Sequence, residues 1–329
     1  MTIVDREILV LIIAASLDYV IGDPVNWPHP VQFMGWICDR YSKLVIKKCK
    51  NTFWLKIAGI ILGIGLVSTS ALISWLLIMG ANIVHPILSI LIESIILASC
   101  FALKSLRNAS EDVLQPLNMG NLTLARDRLS RYVGRDTQDL SESEILRAIT
   151  ETVTENAVDG VMAPLFYAIL GAIIIPYIGS VPLAIAYKAA STLDSMVGYK
   201  EEPYTNLGWF SAKMEDILTW PPCRLTVITL ALLSKKPRQV WHICRQDAIK
   251  DPSPNSGWSE CVYAAILGIQ LGGINYYRGV VKYKPLLGAA INPITSLTIE
   301  KALLLTRYTF LIWLVIIILG AIVWGFFAL

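Results

Sequence analysis

Charged residues are scarce in this chain. Aspartate, glutamate, lysine and arginine make up 16% of its 329 residues, whereas hydrophobic residues make up 55%. A soluble globular domain usually has roughly 25% charged residues. No lysine or arginine lies between Lys56 and Lys104, between Arg147 and Lys188, or after Arg307. Because such a residue at the centre of a bilayer costs about 2.5–3.5 kcal/mol, the uncharged runs indicate membrane-spanning helices and argue against a soluble protein.

Several common active-site signatures are also missing. The chain has no G-x-x-x-x-G-K-[ST] phosphate loop and no G-x-G-x-x-G, G-x-S-x-G or H-E-x-x-H pattern. Its three histidines are too few for a multi-histidine metal centre. The six cysteines include no C-x-x-C pair, so neither a zinc ribbon nor a disulfide framework is indicated, and we expect buried free thiols.

The apolar runs predict a mainly α, polytopic integral membrane protein with about four spans. A membrane-crossing helix needs about 20 apolar residues, and the sequence places such helices at 8–21, 57–79, 86–103 and 309–329. The run at 8–21 is short, and Asp18 interrupts its end. Since no positively charged region precedes it and no small-residue cleavage site follows it, we expect a retained helix rather than a signal peptide.

The apolar segment 164–187 is broken by Pro176, Gly179 and Pro182. Each half is about a dozen residues long, which is too short for a separate crossing. We therefore expect a broken or re-entrant helical hairpin at 164–187. A membrane tolerates such a hairpin only where protein or water surrounds its non-helical backbone.

Nearly all lysines and arginines lie in three polar segments, 22–56, 104–160 and 188–307. Loops rich in these residues stay on the cytoplasmic side of a membrane, and a re-entrant hairpin would keep all three segments on that side. We expect the segments to be helical, to carry the catalytic residues, and to form one membrane-embedded enzyme unit with the spans over 1–329. The active site would then face the cytoplasm.

Three carboxylates recur along one predicted helix before the broken segment. Glu151, Glu155 and Asp159 stand at i, i+4 and i+8, and a capping box of Ser141 and Glu144 marks the start of the helix. Like charges at this spacing destabilise a helix unless a cation lies between them, and their oxygens suit Mg²⁺ with substrate phosphates. Spacing alone is equally compatible with a solvated acidic face. The position at the membrane edge favours a functional site.

Two lysines and an aspartate follow the broken hairpin. Lys188 or Lys200 could neutralise phosphate, and Asp194 could bind a metal ion or orient a nucleophile. Lysines at helix ends are more often interfacial anchors, so this cluster alone is weak evidence. A proline-rich loop after the first span holds Asp23 and His29 at the membrane surface, where ionisable groups are functional candidates.

Three further segments combine polar side chains with turn residues. Arg135 and Asp136 could clamp an anionic group, although an internal salt bridge fits equally well. Asn255 lies in a loop rich in proline and serine, and Asn275 follows two adjacent glycines. Either segment could be a ligand loop or simply a tight turn.

The order of these motifs resembles that of one enzyme family. The motifs are D-x-x-x-G-D-P with P-H-P-V (18–31), V-G-R-D-T (133–137), E-N-x-x-D-G-V-x-A-P (155–164), Y-K-A-x-x-T-L-D-S-M-V-G-Y-K (187–200), S-P-N-x-G-W (253–258) and G-G-x-N-Y-Y (272–277). Over about residues 8–280 they resemble the adenosylcobinamide-phosphate synthase family of cobalamin biosynthesis. One such motif would be weak evidence, whereas the full set in this order is specific.

The resemblance implies an integral enzyme of the cytoplasmic membrane that acts in the biosynthesis of cobalamin, vitamin B12. It would be an acid–amine ligase that joins adenosylcobyric acid, a corrinoid, to (R)-1-amino-2-propanol or its O-phosphate. ATP would be the co-substrate, Mg²⁺ the cofactor, and adenosylcobinamide or its phosphate the product. Membrane lipid would be a further partner, and no nucleic acid is expected. A homo-oligomer or a complex with other membrane enzymes of the pathway is compatible with this resemblance.

The resemblance also implies roles for the polar residues. The catalytic residues would be Glu151, Glu155, Lys188 and Asp194. The Mg²⁺ ligands would be Glu151, Glu155 and Asp159. The substrate-binding residues would be Asp23, His29, Arg135, Asp136, Asn156, Lys200, Asn255 and Asn275. One departure from the family pattern reverses the local charge, because Lys250-Asp251 stands where a basic Lys-His pair is expected.

Other classes of membrane protein fit the sequence less well. A secondary transporter would also have broken helices and an acidic residue within a span, such as Glu93, but it would show paired broken segments in two repeats. A lipid or prenyl transferase would need two aspartate-rich motifs that face each other from two helices, and the sequence does not indicate such a pair. A purely structural subunit would not need the acidic face from Glu151 to Asp159.

Overall fold

A computed structural model describes residues 3–24, 27, 29–175 and 177–327 of the chain. The chain folds into two compact units, each assembled from separate stretches of sequence. The first unit comprises Met1–Ala102, Ala163–Thr219 and Ile312–Leu329, and the second comprises Leu103–Met162 and Trp220–Leu311. The sequence does not indicate this division, and a single membrane-embedded enzyme unit over 1–329 stays a prediction.

Helices dominate the described residues, which confirms the mainly α class. In chain order the helices are α1 (Ile3–Val20), α2 (Pro30–Lys48), α3 (Thr52–Val84), α4 (Pro86–Ala98), α5 (Leu103–Asn118), α6 (Leu122–Leu129), α7 (Glu142–Asn156), α8 (Ala163–Ile173), α9 (Ser180–Val197), α10 (Trp209–Leu233), α11 (Pro237–Asp247), α12 (Ser256–Leu267) and α13 (Ser296–Phe327). A π-helical turn (Ala157–Met162) joins α7 to α8, a short 3-10 turn (Ala248–Lys250) follows α11, and strands β1 (Gln270–Tyr277) and β2 (Val280–Gly288) precede α13.

Local sequence explains where several helices begin. His29 and His85 cap α2 and α4, each followed by a proline at the first helical position, where no backbone N–H is needed. Asn51 caps α3 through its side-chain oxygen. The capping box at the start of α7 is confirmed: the Ser141 side chain accepts from the Glu144 N–H, and the Glu144 carboxylate accepts from the Ser141 N–H.

Five helical stretches among the described residues are long and apolar enough to cross a membrane, so the chain is a membrane protein of several spans. They are Thr52–Val84, Pro86–Asn118, Glu142–Ile173, Trp209–Leu233 and Ser296–Val323. The predicted spans 57–79 and 86–103 lie within the first two. The predicted span 309–329 falls in α13, except that 328–329 lie outside the described residues.

The stretches 142–173 and 209–233 are the two that the sequence pattern missed. The polar half of the first stretch resembles a surface helix, so the sequence pattern did not predict one continuous helix there. In the structure, the π-helical turn joins that half to α8 without a break. The second contains Pro221 and Pro222 inside a continuous helix. Residues 8–20 of the predicted span 8–21 lie in α1, which is not among the five because its charged residues interrupt the apolar run.

In the first unit, the broken segment forms two helices that pack against each other. Helix α8 ends at Ile173 and α9 begins at Ser180, while Pro176 lies outside the described residues. A Cβ added to Gly171 would stand 2.2 Å from the carbonyl oxygen of Gly179, so the helices approach at backbone distance. The break is therefore where proline and glycine predict it, and whether it re-enters the membrane stays a prediction.

The second unit contains a β-hairpin, which contradicts the expectation that the polar segments are entirely helical. Strands β1 and β2 pair antiparallel around the two-residue turn Arg278-Gly279, both with positive φ, as a type I′ turn requires. Alternation along β2 is weak because its first residues are all exposed. Around the hairpin, α7 buries Ile145, Ile149 and Val153 in the core of the unit. These apolar residues stand at i, i+4 and i+8 in the sequence, a spacing that predicts one buried helix face.

We expect Gly171→Ala to lower the thermal stability of the detergent-solubilised protein, because the added methyl group overlaps the α8–α9 backbone contact and costs about 1–3 kcal/mol. Gly65→Ala is the matched control, since a Cβ at that helical glycine meets nothing within 4 Å. Alanine favours helix over glycine by about 1 kcal/mol, so the control should melt at the same temperature or higher. Equal melting of both variants would contradict the close packing at Gly171.

Candidate active site

A polar cavity of about 500 Å³ lies within the second unit. Its wall is formed by the segment before α7, by α7 itself, by the loop before α12 and by both strands of the hairpin. The charged residues that line it are Arg135, Glu151, Glu155, Asp251, Lys282 and Lys284. Asn156 and Asn275 line it as well. The size suits a small ligand, or one end of a larger one.

Glu151 is the buried centre of the wall, with only 1% of its surface exposed. Its carboxylate accepts hydrogen bonds from Arg135, from Arg147 Nη1 at 3.1 Å and from the Gly272 backbone N–H at 2.8 Å. These bonds join α7, the preceding loop and β1. Charge-assisted hydrogen bonds of this kind are the strong ones in proteins.

The two arginines also bind the hairpin directly. Arg135 Nη1 and Arg147 Nη2 donate to Asn275 Oδ1 at 2.8 and 3.1 Å, and Arg147 donates to the carbonyls of Gly272 and Ile274 at 2.7 and 3.1 Å. Arg135 is therefore fixed by protein partners, as an internal salt bridge would require. Its predicted role in substrate binding stays a prediction.

Asp136 holds the tip of the hairpin rather than lining the cavity. Its carboxylate accepts from the N–H groups of Arg278 at 3.0 Å and Gly279 at 2.7 Å, and its own N–H donates to the Tyr276 carbonyl at 2.8 Å. The turn conformation that the sequence pattern did not reveal is thus stabilised from the neighbouring motif.

Glu155 lies one turn after Glu151 and lines the cavity. It makes no hydrogen bond or ion pair within the part of the chain that the structure describes. The charges that act on it most are that of Lys284, which attracts the carboxylate, and that of Asp251, which repels it. Glu155 is therefore available to a ligand, whereas Glu151 is fully engaged.

Lys284 and Glu260 form a buried ion pair that the sequence pattern did not indicate. Lys284 Nζ lies 2.5 Å from Glu260 Oε1, and Glu260 is completely buried. Burial raises the pKa of the Glu260 carboxyl, and the Lys284 charge opposes that rise. Burial alone would lower the pKa of Lys284, but the carboxylates of Glu260, Glu155 and Glu151 raise it. The available signal was a glutamate in the middle of an apolar helix, which rarely occurs without a partner.

Asp251 begins the loop between the 3-10 turn and α12, and it lines the cavity. Its Oδ1 accepts from the Ser253 N–H at 2.8 Å and from the Ser256 hydroxyl at 3.3 Å, while Oδ2 is buried without a hydrogen-bond partner among the described residues. Asn255, four residues later, is buried and is not among the residues that line the cavity. Asp251 thus lies at the cavity, and the sequence pattern did not predict a role for it.

The structure does not gather Glu151, Glu155 and Asp159 into a metal centre. No three His, Cys, Asp or Glu side chains come together as a metal site anywhere in 3–24, 27, 29–175 and 177–327. Glu151 is already paired with arginines. Asp159 lies within the π-helical turn that follows α7, so it leaves the α-helical register of Glu151 and Glu155, and it does not line the cavity. The three carboxylates therefore share no centre within the described residues, and their role as Mg²⁺ ligands stays a prediction. Mg²⁺ held chiefly by nucleotide phosphates stays a prediction.

The remaining predicted site residues belong to the first unit. His29 Nε2 lies 3.2 Å from Asp23 Oδ1, and the charges of Asp23 and Lys188 both act on the buried thiol of Cys100. Asp194 lies in the last turn of α9, where its backbone carbonyl accepts from the Gly198 N–H at 2.8 Å. Lys200 is exposed in the following turn. The structure thus brings Asp23, His29 and Lys188 into one region of that unit, and their roles stay predictions.

The six cysteines are free, and five of them are buried, which confirms the expected thiols.

Comparison with known proteins gives a consistent result. A family profile described as CobD/Cbib protein matches residues 11–306. A cobalamin biosynthesis protein CobD of Synechocystis is 56% identical over 298 residues, which covers 91% of this chain and 87% of the relative. A CobD of Halalkalibacterium halodurans is 38% identical, covering 95% and 96%, and a cobalamin biosynthesis protein CbiB of Salmonella typhimurium is 38% identical, covering 90% and 92%. No solved structure matches.

We expect Glu151→Gln to lower the free energy of unfolding by about 3–5 kcal/mol, because it leaves two largely buried arginines without their counter-charge. The matched control is Glu111→Gln, which breaks an exposed ion pair with Arg107 and should cost no more than about 1 kcal/mol. Chemical unfolding in detergent measures both. Wild-type stability in the Glu151 variant would show that the carboxylate does not hold the hairpin.

A second stability experiment concerns Lys284 and Glu260. We expect Lys284→Met to destabilise the protein by about 3–5 kcal/mol, because the buried Glu260 carboxyl loses the one ion-pair partner that it has among the described residues. The double variant Lys284→Met/Glu260→Met removes both charges and should recover most of that loss. Unfolding curves of the two variants are compared with wild type. If the double variant is as unstable as the single one, the loss has another cause.

Proposed function

The chain belongs to the CobD/CbiB protein family and has a role in cobalamin biosynthesis, and on that premise we propose that it forms the amide bond between a corrinoid acid and an aminoalcohol. The proposed substrates are adenosylcobyric acid and (R)-1-amino-2-propanol or its O-phosphate. The product would be adenosylcobinamide or its phosphate. The observation that carries the proposal is the family match over residues 11–306.

Amide formation from a carboxylate requires activation, because oxide is a very poor leaving group. In the proposed first step, a carboxylate oxygen of the corrinoid attacks the γ-phosphorus of ATP, the bond from that phosphorus to the bridging oxygen breaks, and ADP leaves. In the second step, the amine nitrogen attacks the acyl carbon, the bond from that carbon to the phosphate oxygen breaks, and inorganic phosphate leaves. The nitrogen loses its protons to a base. Mg²⁺ bound with ATP would neutralise phosphate charge.

The polar cavity supports this chemistry through groups that are already fixed in place. Arg135 and Lys284 are oriented by their carboxylate partners. Their positive charges are therefore already in place to stabilise phosphate, and these side chains need not reorganise during the reaction. Glu155 is the carboxylate without a protein partner among the described residues and is the proposed base. Glu151, which is engaged by its arginines, acts as a positioning residue and not as a proton acceptor.

The first unit contributes further proposed roles. Lys188 and Lys200 would neutralise phosphate oxygens, and Asp194 would assist metal binding or proton transfer. Asp23 and His29 would contact substrate. In the second unit, Asn255 and Asn275 are proposed to position the loops that line the cavity, since both have backbone or side-chain bonds to the surrounding wall. None of these roles requires a nucleotide-binding motif of known type.

We also propose that the protein lies in the cytoplasmic membrane, with its active site open to the cytoplasm. The lysine- and arginine-rich polar segments favour that side, and ATP is available there. Contact with lipid follows from the apolar helices. Self-association and association with neighbouring membrane enzymes remain part of the proposal.

The direct test uses the full-length protein in lipid nanodiscs with adenosylcobyric acid, Mg·ATP and either the free amine or its O-phosphate. We expect an amide product by mass spectrometry, formed together with ADP. Glu155→Gln should lower kcat by about 100-fold or more, because it removes the proposed base. Glu111→Gln is the control and should keep wild-type turnover.

A growth experiment provides an independent readout. A strain that lacks this gene should grow on cobinamide but not on cobyric acid, and the wild-type gene should restore growth on cobyric acid whereas Glu155→Gln should not. Accumulation of an intermediate other than cobyric acid would contradict the proposed reaction. Corrinoid uptake into vesicles without any amide product would favour a transporter instead.

A further inference from the structure

Some charged residues around the polar cavity have ion-pair partners in the protein, and others do not. Arg135 is paired with Glu151, and Lys284 is paired with Glu260. In contrast, the Glu155 carboxylate has no hydrogen bond or ion pair within the described residues, and Asp251 Oδ2 is buried without a partner there. The polar groups of this wall that lack protein partners are therefore acceptors with negative charge.

A third acceptor lies beside them. Asn156 follows Glu155 in the chain and lines the same cavity. Its Nδ2 donates to the Thr152 carbonyl at 2.9 Å, which leaves Oδ1 without a hydrogen bond to any residue that the structure describes. The residues that line the cavity thus include one carboxylate, one carboxylate oxygen and one amide oxygen that have no hydrogen-bond partner among the described residues.

A primary ammonium group matches this set of acceptors. It carries one positive charge and three N–H donors and has no acceptor of its own, as in a lysine side chain. A Mg²⁺ ion would instead need near-octahedral oxygen coordination, and the described residues do not assemble a metal centre. Burying a carboxylate without a partner is costly, so a cationic ligand would stabilise the wall that it contacts.

The opposite kind of charge is present in the same cavity. Lys282 lies over the Tyr277 ring at 5.1 Å from its centroid, and both residues line the cavity with Lys284 and Arg135. A ligand that has an ammonium group and an oxygen or phosphate on the adjacent carbon would contact both kinds of charge. That chemistry describes a small aminoalcohol or its phosphate ester.

We propose that the polar cavity is the binding site of the amine substrate, with Glu155, Asp251 and Asn156 as acceptors for its ammonium group. This inference rests on the proposed function for the identity of the amine. Asp251 and Asn156 bind the ammonium group in this account, and Glu155 both binds it and receives its proton.

The test is direct binding to full-length protein in nanodiscs, measured by calorimetry without ATP or corrinoid. The probes are 1-amino-2-propanol, its O-phosphate, and the corresponding compounds that lack the amino group, 2-propanol and isopropyl phosphate. Wild type should bind at least one amine about 10-fold or more tightly than its deaminated counterpart. Comparison of the affinities for 1-amino-2-propanol and for its O-phosphate shows whether the site prefers the free or the phosphorylated amine.

Two variants locate the ammonium group. Glu155→Gln and Asp251→Asn should each weaken amine binding by about 10- to 100-fold and leave the affinity for the deaminated compound unchanged. The matched control is Asp127→Asn, whose carboxylate pairs with Arg131 on the surface, and it should bind like wild type. Melting temperatures establish that each variant is folded, and Asp251→Asn suffices if the Glu155 variant is not.

Three results would overturn the inference. One is amine binding at wild-type strength in both variants, and another is equal binding of the amine and its deaminated counterpart to wild type. The third is a change confined to the affinity for Mg·ATP, which would assign the carboxylates to the nucleotide and its metal ion. Failure of the proposed function has a separate signature, because wild type would then bind the amine with the predicted dependence on Asp251 and yet form no amide.

Discussion

The second unit depends on one buried carboxylate. Glu151 is held by two arginines and one backbone N–H, and these partners come from three separate elements of the chain. The bonds place the hairpin against α7 and so define the wall of the polar cavity. A buried carboxylate with three donors from three elements favours one arrangement of those elements, because moving a donor away leaves buried polar groups without a hydrogen bond. The geometry of the cavity follows from that requirement.

The two carboxylates on α7, Glu151 and Glu155, differ in their surroundings, so one has a structural role and the other a proposed chemical role. Glu155 lies four residues after Glu151 and therefore projects from a similar face of the helix. Since Glu151 takes the arginines, Glu155 has no donor among the described residues and faces the cavity. Two carboxylates with the same chemistry thus acquire different roles from their surroundings. A sequence motif that contains both does not reveal which one is engaged.

Sequence patterns within a few residues predicted much of the fold, whereas contacts between residues distant in the chain were not predicted. The capping box at Ser141, the buried face of α7 and the break between α8 and α9 are all decided within a few residues, so sequence pattern was sufficient. The β-hairpin was missed because the first residues of β2 are all exposed and alternation along that strand is weak. Its Arg278-Gly279 turn also lacks the Asn-Gly or Asp-Gly pair that is typical of type I′ turns. Lys284 and Glu260 are 24 residues apart, and nothing in their spacing indicates that they meet. Likewise, Glu93 suggested transport from its place in a span, yet it is paired with Arg6 and accepts a hydrogen bond from Ser89.

Unpartnered acceptors at the cavity have a physical cost that packing alone does not explain. A protein that evolved only for stability would supply a donor to Glu155 and to Asp251 Oδ2, as it does for Glu151 and for one oxygen of Glu260. Serine hydroxyls and backbone N–H groups are near enough to satisfy Asp251 Oδ1, so the local chain is able to provide such donors. The second oxygen is left without one, within the described residues, at the wall of a cavity that also contains fixed cations. Retained negative charge beside fixed positive charge is what recognition of a ligand with both charges requires.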